Sequence, residues 1–480
     1  MNTNLEDKTM SLFEDLCKVP RPSGHMVDVR KFLLSWAESE GFEAFEDKIG
    51  NIIVKVPATA GKEKHRSVCL QAHMDMVPQT ADGVTHDWTK DPIVTERVYE
   101  NGVEWLKAKG TSLGSDDGIG VAAAMAVATS ASHGPLELLF TTDEETSMTG
   151  ALGLDASQID SELMINLDSE QEGEICVGGA GGTFVDCEWK FVESDVEEGD
   201  VALRISLSGL KGGHSGMDIH LQRANAVKAM ARVLRTAVKE LEARLVSFDA
   251  DNLRNAIPSY AQAVITVPDE GVADMIEYVR MAENELKEIY AGVDDGLRLD
   301  IEAVDTPAKQ IPEELQDDII NAICGAPDGV CRHFENGDIE ASLNHSFIIT
   351  ESGKVTLGFL LRSARAVTMA ELIESIESLY SMAGASVKIL DRYVEWTPNF
   401  KSKLLETTVQ SYESLFNDKP RVYTMHAGLE CGIIADKKKG LDIVSIGPTL
   451  LHPHSTGEKL DVASVGRFTA LLAKVLSNIR

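Results

Sequence analysis

The segment Ser67-Val-Cys-Leu-Gln-Ala-His-Met-Asp75 determines which fold the chain is expected to adopt. Residues 67–72 are short and mostly apolar, which predicts a strand buried inside a sheet. His73 and Asp75 follow at once, and in an extended chain two residues at this spacing point the same way. Because α/β proteins build their sites at the carboxyl ends of strands, the segment predicts a central strand that delivers two polar side chains to a functional site.

Further short apolar strands and helices are predicted on both sides of this segment. Strands are also predicted at residues 51–56, 136–142 and 163–167, and a helix rich in alanine and valine at 118–128. The texture returns near the end, with helices at 402–416 and 463–477 around a strand at 441–446. Strands that alternate with helices favour an α/β catalytic domain with a doubly wound, mostly parallel sheet.

The middle of the chain has a different texture. The glycine run 178–182 lacks the lysine of a phosphate-binding loop, so we expect a flexible hinge there. Two rounds of strand and helix follow, which predicts an inserted domain of two fused α+β halves. In the first round the long helix is expected over 224–245. The predicted boundaries are 1–184 and 395–480 for the catalytic domain and 185–394 for the inserted domain.

Charge and cysteine usage exclude several classes of protein. The 480 residues carry a formal net charge of −32, which disfavours nucleic acid and anionic lipid as partners. No segment has the roughly 20 apolar residues that span a bilayer, and no signal peptide is visible. Seven cysteines without a Cys-x-x-Cys pair indicate reduced thiols, so a cytoplasmic location is expected.

Acidic residues and histidines form further clusters along the chain. Asp116 lies in a glycine-rich turn where a carboxylate could bridge two cations, whereas Asp117 suits a helix N-cap equally well. The adjacent buried carboxylates Glu144 and Glu145 would repel each other unless one binds a cation and the other acts as a base. Asp168 ends another predicted strand.

His454 is the last of these candidates, and His452 competes with it for the same role. Histidine and carboxylate ligands without cysteine favour zinc, with manganese or cobalt as alternatives. Two such ions roughly 3.5–4 Å apart would form a clamp for hydrolysis, in which a carboxylate base delivers hydroxide from metal-bound water.

Two other readings compete with this one. Gly110-Thr-Ser-Leu-Gly114 matches the nucleophile elbow of serine hydrolases, but the helix that should follow it directly begins only near Gly118. A non-catalytic metal-binding protein is the second alternative, although such a protein would not need Glu144 as a free base.

Taken together, the motifs resemble those of the M20 metallopeptidases over essentially the whole chain. The shared pieces are His73-Met-Asp-Met-Val-Pro78, Gly114-Ser-Asp-Asp-Gly118, Asp143-Glu-Glu145, Asn166-Leu-Asp168 and His454-Ser-Thr-Gly-Glu458. Thr456 stands where the family usually has proline. Within the family, the segments 212–216, 255–258 and 426–432 resemble those of the bacterial aminoacyl-histidine (Xaa-His, cytosolic non-specific) dipeptidases.

The resemblance implies two metal ions. Asp116 would bridge them, with His73 and Asp168 completing the shell of one ion. Glu145 and His454 would hold the other, which favours His454 over His452. Asp75 would support His73, and Glu144 would be the general base.

The resemblance also implies substrate contacts. His214 of the inserted lid would stabilise the oxyanion, and Asn255 and Arg362 would hold the terminal carboxylate, although Arg365 is close enough to be confused with Arg362. The remaining two implied contacts are Gly428, lining the pocket, and Glu430, partnering the free amine.

The implied activity is metal-dependent hydrolysis of unblocked dipeptides of the Xaa-His type, β-Ala-His included. An M20-type N-acyl amino acid deacylase or carboxypeptidase is the alternative. The small dipeptide is the expected partner, and a homodimer is compatible with the sequence. Because the lid has two halves, His214 is expected to serve its own chain.

Overall fold

The computed structural model of the protein describes residues 3–251 and 253–480, without the side chains of residues 3 and 4. The chain divides into two compact units. Unit 1 contains the residues up to Gly178 together with Trp396–Thr424 and Leu429–Arg480, so it is discontinuous in sequence. Unit 2 contains Gly179–Glu395 and Met425–Gly428.

The described helices and strands fall into three stretches of the chain. The first stretch contains α1 (Thr3–Leu16), α2 (Val27–Ser39), β1 (Glu43–Glu46), β2 (Ile52–Val56), β3 (Val68–His73), β4 (Thr95–Glu100), β5 (Val103–Ala108), α3 (Ser115–Ser130), β6 (Leu136–Thr141), α4 (Glu144–Ser147), α5 (Thr149–Gly153), β7 (Leu163–Asn166) and β8 (Glu174–Gly179). The second contains β9 (Gly181–Lys190), β10 (Ser194–Asp195), β11 (Asp200–Ser208), β12 (Gly213–His214), α6 (Ala226–Glu240), β13 (Arg244–Ala250), β14 (Ala256–Ile257), β15 (Ala261–Pro268), α7 (Val272–Ile289), β16 (Arg298–Val304), β17 (Lys309–Gln310), α8 (Glu313–Gly325), β18 (Gly329–His333), β19 (Ile339–Glu351), β20 (Lys354–Ser363), α9 (Ala366–Met382) and β21 (Ser386–Tyr393). The third contains α10 (Lys403–Phe416), β22 (Arg421–Met425), α11 (Glu430–Lys437), β23 (Asp442–Ser445), β24 (Leu450–Leu451), β25 (Lys459–Asp461) and α12 (Val462–Asn478).

The core of unit 1 is an eight-stranded sheet in the order β1-β2-β6-β3-β7-β23-β8-β22. Its central strands β6, β3, β7 and β23 are parallel, and β2 is antiparallel to β6. Every residue of β3, β6 and β7 is buried, so both faces of the sheet centre are covered. This arrangement confirms the predicted α/β class, and His73 is the last residue of the central strand β3.

A second, four-stranded sheet in unit 1 has the order β24-β25-β5-β4. The chain leaves β5 before it reaches Asp116, and it leaves β24 before it reaches His454. Not every predicted metal residue therefore follows a strand of the large sheet. His454 lies in the loop after β24, and Asp116 lies at the start of α3, where its own backbone and that of Asp117 are not helical. In the large sheet, His73 ends β3, and Glu144 and Asp168 follow β6 and β7.

Unit 2 contains two antiparallel sheets, β13-β15-β11-β16 and β18-β19-β20-β9-β21. Their strands β13 and β19 are linked at Thr350, whose Oγ1 accepts a hydrogen bond from the Phe248 N–H (2.9 Å) and donates one to the Phe248 carbonyl (2.9 Å). Side chains from both sheets and from α6 to α9 form one continuous apolar core. The two α+β halves of the inserted domain are therefore packed as a single unit.

The structure corrects two predictions about unit 2. The helix expected over 224–245 ends at Glu240, because Glu242 has a left-handed φ of 53° and the alternating segment that follows forms strand β13. The glycine run 178–182 is not a flexible loop, since its five residues are buried and all but Ala180 lie within β8 and β9.

Two sequence expectations concern the chain as a whole. Among the described residues, no helix is long and apolar enough to cross a membrane. All seven cysteines are free thiols, as the sequence predicted.

Replacement of Leu70 tests the central role of β3. The side chain is fully buried at the middle of the strand, so Leu70→Ala should lower the free energy of unfolding by about 2–5 kcal/mol. Urea denaturation followed by circular dichroism would measure the loss. The control is Val192→Ala, at a side chain that is 89% exposed, which should change the free energy by less than about 0.5 kcal/mol. Equal losses in the two variants would contradict the assigned core.

Candidate active site

One carboxylate in unit 1 lies between two imidazoles. Oδ1 of Asp116 is 3.0 Å from Nε2 of His73, and Oδ2 is 2.9 Å from Nε2 of His454. Each imidazole also faces a second carboxylate. Oδ1 of Asp168 is 3.6 Å from His73 Nε2, and Oε2 of Glu145 is 2.9 Å from His454 Nε2. The structure thus brings all five predicted metal residues together, with Asp116 shared by two similar halves.

The electrostatics of this cluster fit a divalent cation. Burial raises the pKa of Asp168 well above its usual value, and the negative charges of Asp116 and Glu144 add to this shift. Oε1 of Glu145 is buried and has no hydrogen-bond partner among the described residues. His73, Asp116 and Glu145 each offer a ligand atom, all within 4.8 Å of one another. Imidazole nitrogens mixed with carboxylate oxygens suit zinc, manganese or cobalt.

Asp75 connects His73 to the segment that carries the two glutamates. Its Oδ1 is 3.5 Å from His73 Nδ1 and accepts the backbone N–H of Glu144 at 3.0 Å. Its Oδ2 accepts the N–H of Glu145 at 3.2 Å and the hydroxyl of Ser23 at 2.8 Å. Burial opposes ionisation of Asp75, but its bonds from His73 and Ser23 prevail and lower its pKa. One carboxylate therefore orients an imidazole and fixes the start of α4.

The loop that carries Asp116 is clamped on two sides. The carboxylate of Glu458 accepts five hydrogen bonds of 2.6–3.3 Å from this loop, namely those of the Leu113, Gly114, Ser115 and Asp116 N–H groups and the Ser115 hydroxyl. From the other side, the buried guanidinium of Arg21 donates to the carbonyl of Gly114. A Cβ at Gly114, where φ is 69°, would lie 2.6 Å from Arg21 Nη2, so only glycine fits.

Two residues near this loop have structural roles. Oδ1 of Asp117 accepts the N–H of Gly120 at 3.2 Å, which is the capping interaction that the sequence allowed for. Its Oδ2 accepts the N–H of His73 at 3.3 Å. The hydroxyl of Ser112 donates to the Val77 carbonyl at 2.6 Å, and the residue is buried. The hydroxyl of Ser112 thus holds the loop in place and is not free to act as a nucleophile. This argues against a serine hydrolase.

Glu430 is a buried carboxylate at the start of α11 in unit 1. Its Oε2 accepts hydrogen bonds from Gln71 Nε2 (2.8 Å) and Thr141 Oγ1 (2.6 Å), whereas its Oε1 is buried without a partner among the described residues. Burial raises the pKa of Glu430 to about 7. Burial, together with the negative charges of Glu430 and Glu145, raises the pKa of Glu144 to about 8.

The predicted substrate residues other than Glu430 lie in unit 2. Nδ1 of His214 accepts the backbone N–H groups of Gly216 (3.2 Å) and Met217 (3.0 Å). Nδ1 is therefore unprotonated, so the neutral ring carries its proton on Nε2. Burial and the charge of Arg362 lower the pKa of His214, which keeps the ring neutral. The side chain thus presents an N–H donor rather than a cation.

Arg362 lies beside His214 and is 4% exposed. Its Nη1 donates to the Tyr393 hydroxyl at 2.6 Å, and its Nη2 is 3.4 Å from Ser215 Oγ. Its Nε is buried and has no partner in the part of the chain that the structure describes. Among the described residues, no carboxylate pairs with this guanidinium, whereas Arg365 is 3.7 Å from Glu340. A buried, unneutralised guanidinium is suited to bind an anion.

The other two predicted substrate residues border this cluster. Asn255 is exposed, and its carbonyl accepts the N–H of Ser215 at 2.9 Å. Gly428 faces the ring of Tyr393, at a distance where an added Cβ would lie 3.0 Å from two ring atoms.

Four further residues of these clusters have no role predicted from the sequence, namely Glu458, Arg21, Gln71 and Tyr393. Glu458 was visible as the last residue of the motif that begins at His454, so its position after that histidine was a usable signal. No spacing rule pointed to Arg21, because the chain folds back over more than 90 residues to reach the Gly114 carbonyl.

Glu458→Gln should weaken binding of divalent metal. The amide nitrogen of glutamine cannot accept the N–H groups that now meet a carboxylate oxygen, so the loop would shift and move Asp116. We expect zinc or manganese affinity to fall about 10-fold to 100-fold, as for other residues that orient metal ligands. Calorimetric titration of metal-free protein would measure it. Glu162→Gln, at a side chain that is 76% exposed, is the control, and equal affinities for both variants would contradict the clamp.

His426 provides a prediction about pH. This buried ring bonds Ser342 Oγ through Nε2 at 2.7 Å, and burial together with the charge of Arg362 lowers its pKa from 6.5 to about 3. As the pH falls below 6.5, the unfolded chain therefore binds a proton that the folded protein does not, and stability is lost. His426→Gln should reduce the loss by about 1.4 kcal/mol per pH unit between about pH 6 and 4. Urea denaturation across this range would show it, with the exposed His333→Gln as control. Parallel curves for His426→Gln and the native protein would contradict the assignment.

Comparisons with known proteins agree with this geometry. A model of peptidase family M20/M25/M40 matches residues 69–478. The cytosol non-specific dipeptidase of Escherichia coli (strain K12) is 38% identical over 472 residues, which are 98% of this chain and 96% of that protein. The crystal structure of aminoacylhistidine dipeptidase from Vibrio alginolyticus matches with a TM-score of 0.90 at 37% identity, covering 98% of this chain and 96% of that one. Aminopeptidase PepT from Bacillus cereus ATCC 10987 shares the fold, with a TM-score of 0.56 at 15% identity and coverage of 99% and 98%. The chain therefore belongs to peptidase family M20/M25/M40 and is a peptide-bond hydrolase, as its motifs indicated.

Proposed function

We propose that the protein is a dipeptidase that hydrolyses unblocked dipeptides, Xaa-His dipeptides among them, with two divalent metal ions. The observation that carries the proposal is the carboxylate of Asp116 between the imidazoles of His73 and His454. The names of the Escherichia coli and Vibrio alginolyticus relatives support the substrate class. The first of these names also supports a cytosolic location.

The metal ligands would be His73 and Asp168 on one side, Glu145 and His454 on the other, and Asp116 between them. Zinc is the ion that this donor set favours, with manganese and cobalt as alternatives. When bound, the ions would polarise the scissile carbonyl and lower the pKa of water. Asp75 would keep His73 in the required orientation through its contact with Nδ1.

Glu144 would accept the proton of the attacking water and pass it to the leaving amine. Its backbone is fixed by Asp75, and burial beside Glu430 and Glu145 raises its pKa to about 8. A carboxyl group tuned upward in this way can take a proton and return it near neutral pH. Bound cations would lower this pKa by their charge, which keeps the group ionised before the reaction.

Named side chains would recognise the substrate's own charges. Arg362 lacks a carboxylate partner and would bind the terminal carboxylate, with Asn255 and Gly428 lining the same pocket. His214 would donate its Nε2 proton to the oxyanion that forms at the scissile carbonyl. In unit 1, the unpartnered Oε1 of Glu430 would accept the free ammonium group. Recognition of a free carboxylate and of a free ammonium group would favour unblocked peptides. A homodimer and action of His214 within its own chain remain predictions.

A substrate panel tests the proposal. Metal-free protein would be assayed with Ala-His, β-Ala-His, their N-acetyl forms, a tripeptide and N-acetyl amino acids, each with added zinc, manganese or cobalt. We expect the unblocked dipeptides to be hydrolysed and the activity to disappear with a chelator. Faster release of acetate from N-acetyl amino acids would instead identify a deacylase. Faster release of the carboxyl-terminal residue from the tripeptide or the N-acetyl dipeptides would identify a carboxypeptidase.

Replacement of the general base gives a sharper prediction. Glu144→Gln should retain metal affinity within a factor of about 3 but lose at least about 100-fold in kcat, because the amide cannot accept a proton. Calorimetry and steady-state kinetics would measure the two quantities. Asp143→Asn is the neighbouring control, since Asp143 accepts the Gly24 N–H and holds no assigned catalytic role. A Glu144→Gln enzyme with native turnover would remove this residue from the mechanism.

A further inference from the structure

Three neighbouring strands of unit 2 place Arg362, Gly182 and Tyr393 side by side. Arg362 on β20 is opposite Gly182 on β9, and Gly182 is also opposite Tyr393 on β21. Residues directly opposite each other in a sheet point to the same face. Arg362 and Tyr393 therefore share a face but are separated by one strand, so their side chains can meet only across the position of Gly182.

Glycine at position 182 is what makes that meeting possible. The Tyr393 ring lies over the backbone of Gly182, where a Cβ would overlap the ring atoms Cε1 and Cζ and the hydroxyl oxygen. On another side, Gly428 approaches the ring so closely that its Cβ would lie 3.0 Å from Cδ2 and Cε2. The two glycines thus border a slot for this ring, and one of them belongs to the glycine run 178–182 that was expected to be a hinge.

The register of β21 decides that Tyr393 is the residue in the slot. Ile389 pairs with Val185, but Arg392 pairs with Thr183, so β21 contains one extra residue between these pairs. Without that irregularity, Arg392 would be opposite Gly182, and Tyr393 would point to the other face. This extra residue, a bulge in β21, and the two glycines that border the slot therefore both determine where the Tyr393 side chain lies.

The contact that results fixes the orientation of the guanidinium. Nη1 of Arg362 donates to the Tyr393 hydroxyl at 2.6 Å, and the guanidinium carbon is 5.9 Å from the ring centroid. This leaves Nη2, near Ser215 Oγ and His214 Nε2, and the unpartnered Nε to meet an anion. An arginine fork binds a carboxylate well only when its plane is preorganised.

We propose that Tyr393, seated between Gly182 and Gly428, is a positioning residue that orients Arg362 for the carboxylate of the dipeptide and so sets the preference for substrates with a free carboxyl terminus. The inference rests on the proposed function and deepens it. Tyr393 acts through Arg362, so its removal should affect recognition of the carboxylate and leave the hydrolytic step intact.

The test compares a dipeptide with its carboxyl-terminal amide, for example Ala-His and Ala-His-NH2. We expect the native protein to prefer the free acid in kcat/KM. Tyr393→Phe should reduce that preference about 10-fold, mainly through a higher KM for the acid, because a hydrogen bond to a charged group is lost. Values for the amide should change little. Gly182→Ala should act in the same direction by displacing the ring.

The controls separate this effect from general damage. Tyr99→Phe removes a hydroxyl from a side chain that is 75% exposed, and Gly271→Ala adds a Cβ where no atom lies within 4 Å. Neither should alter the acid-to-amide preference. Tyr393→Phe keeps the ring, so its result stands even where Gly182→Ala fails to fold.

Four outcomes would contradict either the role of Tyr393 or the function on which it rests, and they can be told apart. If the native protein prefers the acid and Tyr393→Phe keeps that preference, the inference is wrong while the proposed function stands. An equal loss for acid and amide would show that Tyr393 is only structural, which also overturns it. If the native protein hydrolyses both equally, the assigned role of Arg362 is wrong and the inference with it. A native protein that hydrolyses no dipeptide contradicts the proposed function itself, which the substrate panel detects independently.

Discussion

The sharing of one buried carboxylate by two imidazoles is the constraint on which unit 1 depends. Asp116 can meet both His73 and His454 only if a loop of the small sheet and the end of the central strand come within a few ångströms of each other. The surrounding carboxylates make this arrangement electrostatically unfavourable on its own, as the raised pKa values of Asp168 and Glu144 show. Bound cations would convert this repulsion into attraction, so the stability of unit 1 would increase when cations bind.

The hydrogen bonds around the cluster show how the chain holds such a site in place. Glu458 receives the N–H groups of the Asp116 loop, and Asp75 receives those of Glu144 and Glu145. Both supports are buried carboxylates that accept backbone donors, so they fix main-chain segments rather than single side chains. The positions of the clustered side chains are therefore determined by backbone geometry, which is stiffer than a long side chain held at one end.

Much of the fold could be predicted from the sequence, because local patterns of apolar and polar residues indicate its strands. The short apolar runs at β3, β6 and β7 and the polar residues after them identified the central sheet and the residues His73, Glu144 and Asp168. The family resemblance then pointed to Asp116, His454 and Arg362. What the sequence could not provide were relations between distant segments. Arg21 contacts the segment that carries Asp116, and Asp116 and His454 come after strands of a second sheet. Both relations depend on tertiary packing, which sequence periodicity does not encode. The glycines at 178–182 were misread for a similar reason, since a glycine that makes room for a neighbouring strand has the same local signature as one that makes a loop flexible.

The bulge in β21 has a consequence for how this part of the protein can change over evolution. Most side chains of β21 are exposed, so their chemical identity is expected to drift freely. The number of residues between Ser386 and Tyr393 is a different matter, because inserting or deleting one of them would turn the tyrosine to the opposite face of the sheet. Relatives that keep the contact between Tyr393 and Arg362 should therefore vary in composition along the strand while conserving its length, an unusual pattern for an exposed edge of a sheet, where indels are ordinarily tolerated.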